Sequence, residues 1–204
     1  MNYQWKLLRH DTLFEKYFRL EEILVKHELF GGGESNEFTR EIFERGSVVA
    51  LLPYDSERGK VVLIEQFRAG AIGDDDGPWL IESVAGVIDP GETVERVAKR
   101  ECIEEAGCEV RRLEMISRYY VSPGGTTELC TSFCGLIDSV GVGGIHGLAD
   151  ENEDIRVFVV DAEEAFAWVR QGRIRSSATI IALQWLELNR ARLDREWTPR
   201  ALGD

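Results

Sequence analysis

The chain has 204 residues, 44% of them apolar and 30% charged. That is enough for one good-sized domain, or one domain with a small appendage. A formal net charge of −13 and an isoelectric point near 4.8 argue against a nucleic-acid or anionic-membrane binder, although cations would still let an acidic chain hold a phosphorylated ligand.

The first residues, MNYQWKLLRHDTLFEKYF, carry charges every few positions and read as no secretory signal. The longest apolar run, near Val48–Leu52, is too short to span a bilayer. A cytoplasmic location is expected. The four cysteines (Cys102, Cys108, Cys130, Cys134) form no CxxC pair and fit no zinc spacing. They read as small buried hydrophobes in a reducing compartment. His10, His27 and His146 are scattered and make no transition-metal cluster.

From Trp5 to about Arg45 the pattern is β-structure with little core of its own. KYFRLEEILVKHEL alternates as a strand, Gly31–Gly33 breaks it, and EFTREIFERG resumes an extended run. So small a segment should pack on something larger, either its own domain or a second subunit. SVVALLPYD and KVVLIEQFR predict buried strands around a turn at Ser56–Gly59, and WLIESVAGVI predicts another strand. A helix is expected over about Thr93–Ala106, stopped by Gly107. Strands follow near Leu113–Val121, Leu129–Leu136 and Ile155–Val160. AEEAFAWVRQG and SSATIIALQWLELNRARL predict two amphipathic helices, the second capped by Ser176 or Ser177. The glycine-rich, acidic stretch from Gly141 to Glu153 reads equally as a functional lid or a plain connection. This order of elements gives a mixed α/β or α+β sandwich rather than a regular βαβ alternation.

The helix carries the chemistry. Glu101 and Glu105 are four residues apart and stack on one face, with Glu104 at its edge. Val94 and Ala98 fall in the same sector. The inward stripe therefore turns from apolar to acidic along the helix, whereas an ordinary charged face would lie opposite the apolar one. Inward carboxylates repel one another and lose solvation, so they need cations. Arg100 supplies one. Hard oxygen donors without His or thiolate point to Mg²⁺ or Mn²⁺ for the rest. The alternative, an ion-pair network with Arg96, Lys99 and Arg100, leaves the inward placement unexplained.

The segment Gly86–Cys108 resembles the Nudix box, G-x5-E-x7-R-E-U-x-E-E-x-G-U, where U is apolar. Gly86, Glu92, Arg100, Glu101, Glu104, Glu105 and Gly107 fill its seven fixed places, and Cys102 and Cys108 stand where aliphatic residues are commoner. The resemblance implies an α+β fold of the Nudix α/β/α sandwich type, and hydrolysis of a nucleoside diphosphate linked to another moiety. It implies Glu101 and Glu105 as metal ligands with the Ala85 carbonyl, Glu104 in support, and a structural Glu92–Arg100 ion pair.

Further stretches resemble the bacterial ADP-ribose pyrophosphatase subgroup: REIFERG, LIEQFR, SPGGTTE, GIHGLADENEDIRV and ALQWL. Pro123 stands sixteen places after Gly107, a mark of that subgroup. The likeness implies Mg²⁺-dependent cleavage of ADP-ribose to AMP and ribose 5-phosphate. It implies Glu151 as the base that takes the proton of the attacking water and Glu153 as a further metal ligand, although a one-step slip in this acidic run would exchange such roles. Arg68 matches an arginine on the diphosphate or terminal ribose. Arg40, Glu41 and Arg45 match residues around adenine and ribose, Tyr17 and Phe18 would stack on the base, and Val87, Ser122, Pro123, Gly124 and Glu128 complete the pocket. Residues 1–45 would form a small antiparallel β subdomain, swapped between the subunits of a homodimer, ahead of a hydrolase domain at 46–204. The competing readings are a Nudix hydrolase for another nucleotide sugar, such as GDP-mannose, and a non-catalytic ADP-ribose sensor.

Overall fold

The computed structural model describes residues 3–148 and 152–198. The chain divides into two compact units, one of residues Met1–Ser47 with Tyr119–Leu129, the other of Val48–Arg118 with Cys130–Asp204.

The first unit is a three-stranded antiparallel sheet of β1 (Trp5–Glu15), β2 (Arg19–His27) and β3 (Phe38–Glu44), in that spatial order. β1 is exposed along its whole length, and Trp5, Leu7, Leu8, Leu13 and Phe14 all meet solvent. The segment Ser122–Glu128 joins this unit by backbone bonds from Phe43 N to Gly125 O (2.8 Å) and from Thr127 N to Phe43 O (3.2 Å).

The second unit is built on a mixed sheet. The strands of this sheet, wholly or for the most part in the second unit, are β4 (Val48–Asp55), β5 (Lys60–Phe67), β6 (Trp79–Glu82), β7 (Val84–Val87), β8 (Arg112–Tyr120), β9 (Leu129–Leu136), β10 (Gly144–His146) and β11 (Ile155–Asp161). The main path runs β10-β11-β5-β4-β9-β8, with β6 on β5 and β7 on β4; β4 and β9 are parallel. Side chains on β4 and β5 alternate between two cores, as the period of a strand requires. Val49, Leu51, Val62 and Ile64 pack with Val97, Ala98 and Cys102 of α1 (Val94–Ala106). Leu52, Tyr54, Val61 and Leu63 pack with α2 (Ala162–Arg170) and α3 (Ser177–Trp197). One helix on one face and two on the other give the expected α/β/α layers.

Two expectations are corrected. WLIESVAGVI is two strands, not one: β6 pairs with β5 and β7 with β4. The break falls at buried Ser83, whose N–H donates to Thr179 Oγ1 on α3 (2.8 Å), so a side chain replaces a ladder partner. The Gly141–Glu153 stretch is not all loop, because Gly144–His146 adds β10 at the sheet edge. The α1 boundaries follow from local chemistry. Thr93 is the N-cap, its hydroxyl accepting from Arg96 N, and Gly107 ends the helix at φ 64°. α3 starts after Ser176, whose side chain makes no capping bond.

Thr179→Val removes the acceptor for the buried Ser83 N–H and should cost about 1–3 kcal/mol of stability. Thr179→Ser should cost less. Urea denaturation of the two variants reads the difference.

Candidate active site

In the second unit the site begins at the meeting of β7 and α1. A Cβ placed on Gly86 would overlap the carboxyl group of Glu101, so this position admits glycine only while Glu101 stays where it is. The next residue back, Ala85, donates its N–H to Glu105 Oε2 (2.9 Å). Glu105 is 4% exposed, and among the described residues its carboxylate makes no ion pair. Arg100 gathers three other carboxylates: Glu101 at 2.8 Å, Glu104 at 3.0 Å and Glu92 at 3.3 Å. The Glu92 contact ties the loop before α1 to the helix, as the box implied.

Burial pushes the Glu101 carboxyl up to about 7; repulsion from Glu104 and Glu153 adds to the rise and Arg100 opposes it. Burial pushes Glu105 up to about 8, opposed by the Ala85 N–H and by Arg68, and reinforced by Glu101 and Glu153. Glu153 thus lies near enough to press on both helix carboxylates. It is held by Leu148, whose N–H donates to Glu153 Oε2 (3.3 Å). Arg68 faces the same cluster and is fixed through its Nε by Glu82 Oε2 (2.6 Å) at the end of β6. Val87, at the end of β7, is exposed.

Glu101, Glu105, Glu153 and the Ala85 carbonyl are all oxygen donors, the set a hard divalent cation takes. The desolvated Glu105, in no ion pair among the described residues, is the observation that fits such an ion. Among the described residues no three His, Cys, Asp or Glu side chains are already drawn together as a cage. Glu101 is turned onto Arg100 instead, and Glu153 onto a backbone N–H. Glu151 and the neighbouring Asp150 lie outside the described residues.

The other expected contacts fall in the first unit. Phe18 packs edge-on against Phe43 (5.2 Å) and Tyr17 (4.6 Å), and the Arg45 guanidinium lies over it at 5.4 Å. Arg45 also pairs with Glu128 (2.7 Å). These residues form one group, with Tyr17 84% exposed at its edge. Ser122 O accepts from Gly125 N and Thr126 N, making the expected turn and leaving Ser122, Pro123 and Gly124 exposed. Arg40 stacks on Phe38 at 4.5 Å. Alternation along β3 puts Arg40 and Glu41 on opposite faces, so the two do not line one surface of this chain.

Sequence reasoning missed Glu82 and His146. Glu82 aims Arg68, but it sits in an apolar run that reads as continuous. His146 packs so closely on the end of α1 that a Cβ on Gly107 would stand 2.5 Å from its Cε1. No spacing signal links either pair.

Both helix carboxyls bind protons more readily in the folded protein than at the ordinary glutamate value of 4.5. Their contribution to metal-free stability is complete below about pH 4.5 and is lost as pH rises through about 7 and 8. A divalent cation relieves that loss. The rise in melting temperature on adding Mg²⁺ should therefore be larger at about pH 8 than at about pH 6. Equal shifts would place the ion elsewhere.

Residues 44–201 match the family profile described as NUDIX domain. The chain is 49% identical to the ADP-ribose pyrophosphatase of Escherichia coli (strain K12) over 192 residues, covering 94% of this chain and 92% of that one. It is 44% identical to the ADP-ribose pyrophosphatase of Haemophilus influenzae over 195 residues, covering 94% and 90%. A crystal structure of an ADP compounds hydrolase superposes with a TM-score of 0.68 over 95% of this chain and 96% of that one, at 18% identity, a likeness of fold. With the box complete on α1 and the profile matched over most of its length, the chain belongs to the Nudix family.

Proposed function

We propose that this Nudix enzyme hydrolyses ADP-ribose to AMP and ribose 5-phosphate in a Mg²⁺-dependent reaction, with Mn²⁺ as a substitute. The observation that carries the chemistry is the pair of desolvated carboxyls on α1, Glu101 half-buried and Glu105 buried near Arg68, both raised toward neutrality. The substrate reading rests on near-full-length identity to ADP-ribose pyrophosphatases. Glu101, Glu105, Glu153 and the Ala85 carbonyl would hold the ion. When bound, a divalent cation screens the diphosphate and makes water a better nucleophile.

The protein's own groups do the rest. Arg68, aimed by Glu82, offers its remaining N–H donors to a phosphate oxygen. Arg100 takes the charge of Glu104 and Glu92, and it would release Glu101 once another cation arrives. Glu151 accepts the proton of the attacking water as the new P–O bond forms and the bridging P–O bond breaks; Glu153 is the next candidate. Tyr17 and Phe18 receive the base, Arg40, Glu41, Arg45 and Glu128 contact adenine and ribose, and Val87, Ser122, Pro123 and Gly124 close the pocket. Catalysis is assigned to Glu151, Glu104 and Arg100.

The exposed apolar side chains of β1 support a homodimer in which residues 1–45 are exchanged and residues 46–204 form the hydrolase domain. Among the described residues no helix is long and apolar enough to cross a membrane. We assign the enzyme to the cytoplasm, without nucleic-acid or membrane partners.

Product analysis with Mg²⁺ tests this reading on ADP-ribose, GDP-mannose, NADH and diadenosine polyphosphates. Preferred release of AMP and ribose 5-phosphate is expected. Preference for GDP-mannose would keep the chemistry and overturn the base contacts, and binding of ADP-ribose without hydrolysis would favour a sensor. Glu151→Gln should lower kcat about 100-fold or more with little change in KM. Near-normal turnover would move the base to Glu153.

A further inference from the structure

The two apolar places of the box are filled here by cysteines, and the fold brings them together. Cys102 Sγ and Cys108 Sγ are 3.6 Å apart. Their backbones are already joined, Cys108 N donating to Cys102 O at 3.2 Å. That bond keeps the two Cα atoms within about 7 Å, the limit for a disulfide. The remaining two cysteines lie on β9 and belong to other surroundings.

Access differs between the two thiols. Cys102 is fully buried under the sheet. Cys108 is 4% exposed and forms part of the wall of a surface pocket of about 230 Å³. Gly107, Glu109, Arg111, Asp138 and Val142 also line it, and an Arg111–Asp138 ion pair (3.2 Å) stands in that lining. The pocket is large enough for a peroxide molecule and polar enough to hold one.

We propose that Cys102 and Cys108 form an oxidation site, converted by a hydroperoxide into a disulfide that slows the enzyme. Cys108 sulfur attacks the peroxide, forming an S–O bond as the O–O bond breaks. The departing oxygen leaves as water or an alcohol with the thiol proton. Cys102 sulfur then attacks Cys108 sulfur, forming S–S as S–O breaks, and the hydroxide leaves with the Cys102 proton as water. The two thiols lose two electrons and two protons, and the peroxide is reduced. A thiol reductant restores both cysteines.

The effect on activity rests on the function proposed above. Glu105 lies between the two cysteines in the chain and Glu101 immediately precedes Cys102. Drawing the sulfurs from 3.6 Å to about 2.05 Å would pull on the last turn of α1, which carries Glu105 and follows directly on the turn that carries Glu101. Displacements of about 1 Å in a catalytic constellation reduce rates by up to about 100-fold.

Trypsin releases both cysteines in one peptide, Glu101–Arg111, so the test is direct. The full-length protein is treated with hydrogen peroxide, quenched with catalase, denatured, alkylated and digested. The peptide should become lighter by two hydrogens and refuse alkylation, and dithiothreitol should return it to a doubly alkylated form. Activity on the preferred nucleotide substrate should fall about tenfold or more and recover with the reductant. The Cys102→Ala/Cys108→Ala variant should lose this reversible response. Two alkylated cysteines after oxidation would overturn the proposal, as would equal reversible loss in the double variant. If that variant does not fold, the wild-type peptide decides. The peptide result holds whatever the chain hydrolyses, so it separates failure of the oxidation site from failure of the substrate reading.

Discussion

A carboxylate that is 4% exposed and makes no ion pair among the described residues sets the terms for the rest of the second unit. Burying Glu105 on α1 is unfavourable unless a proton or a cation joins it. Its hydrogen bond from Ala85 N does not offset the loss of water, and its pKa rises to about 8. Arg100 does not solve the problem, because its guanidinium is committed to Glu101, Glu104 and Glu92. Among the described residues the carboxylates of the cluster outnumber its guanidinium groups. A hard divalent ion would complete it, and the same ion would let a strongly acidic chain accept a diphosphate.

The architecture delivers these groups from separate directions. α1 reaches the sheet through Val97, Ala98 and Cys102, which bring Glu101 and Glu105 down onto β7. The change of strand at Ser83 places Glu82 on one neighbour and Ala85 on another, so Arg68 and the α1 carboxylates face the same region. Thr179 fixes that change from the opposite face of the sheet. A polar contact beneath one layer thereby sets the position of charges above the other.

Much of this was legible in the sequence where local chemistry decides. Thr93 and Gly107 mark the ends of α1, and β9 occupies the expected Leu129–Leu136. The inward turn of acidic residues on α1 was visible from spacing alone. The break at Ser83 was not, because WLIESVAGVI is continuously apolar and its partner lies on α3. β10 was hidden by glycines that read as loop. Glu82 gave no sign because its role is to hold Arg68 across a connection. In the first unit, alternation along β3 separates Arg40 from Glu41, which a linear motif cannot express.

Crystals grown with Mn²⁺ and a non-hydrolysable ADP-ribose analogue would expose the central charge balance through anomalous scattering at the manganese edge. Manganese bounded by Glu101, Glu105, Glu153 and the Ala85 carbonyl is predicted, with Arg100 withdrawn from Glu101 and kept on Glu92. Manganese bound elsewhere, with Glu101 still on Arg100 and Glu105 untouched, would contradict it.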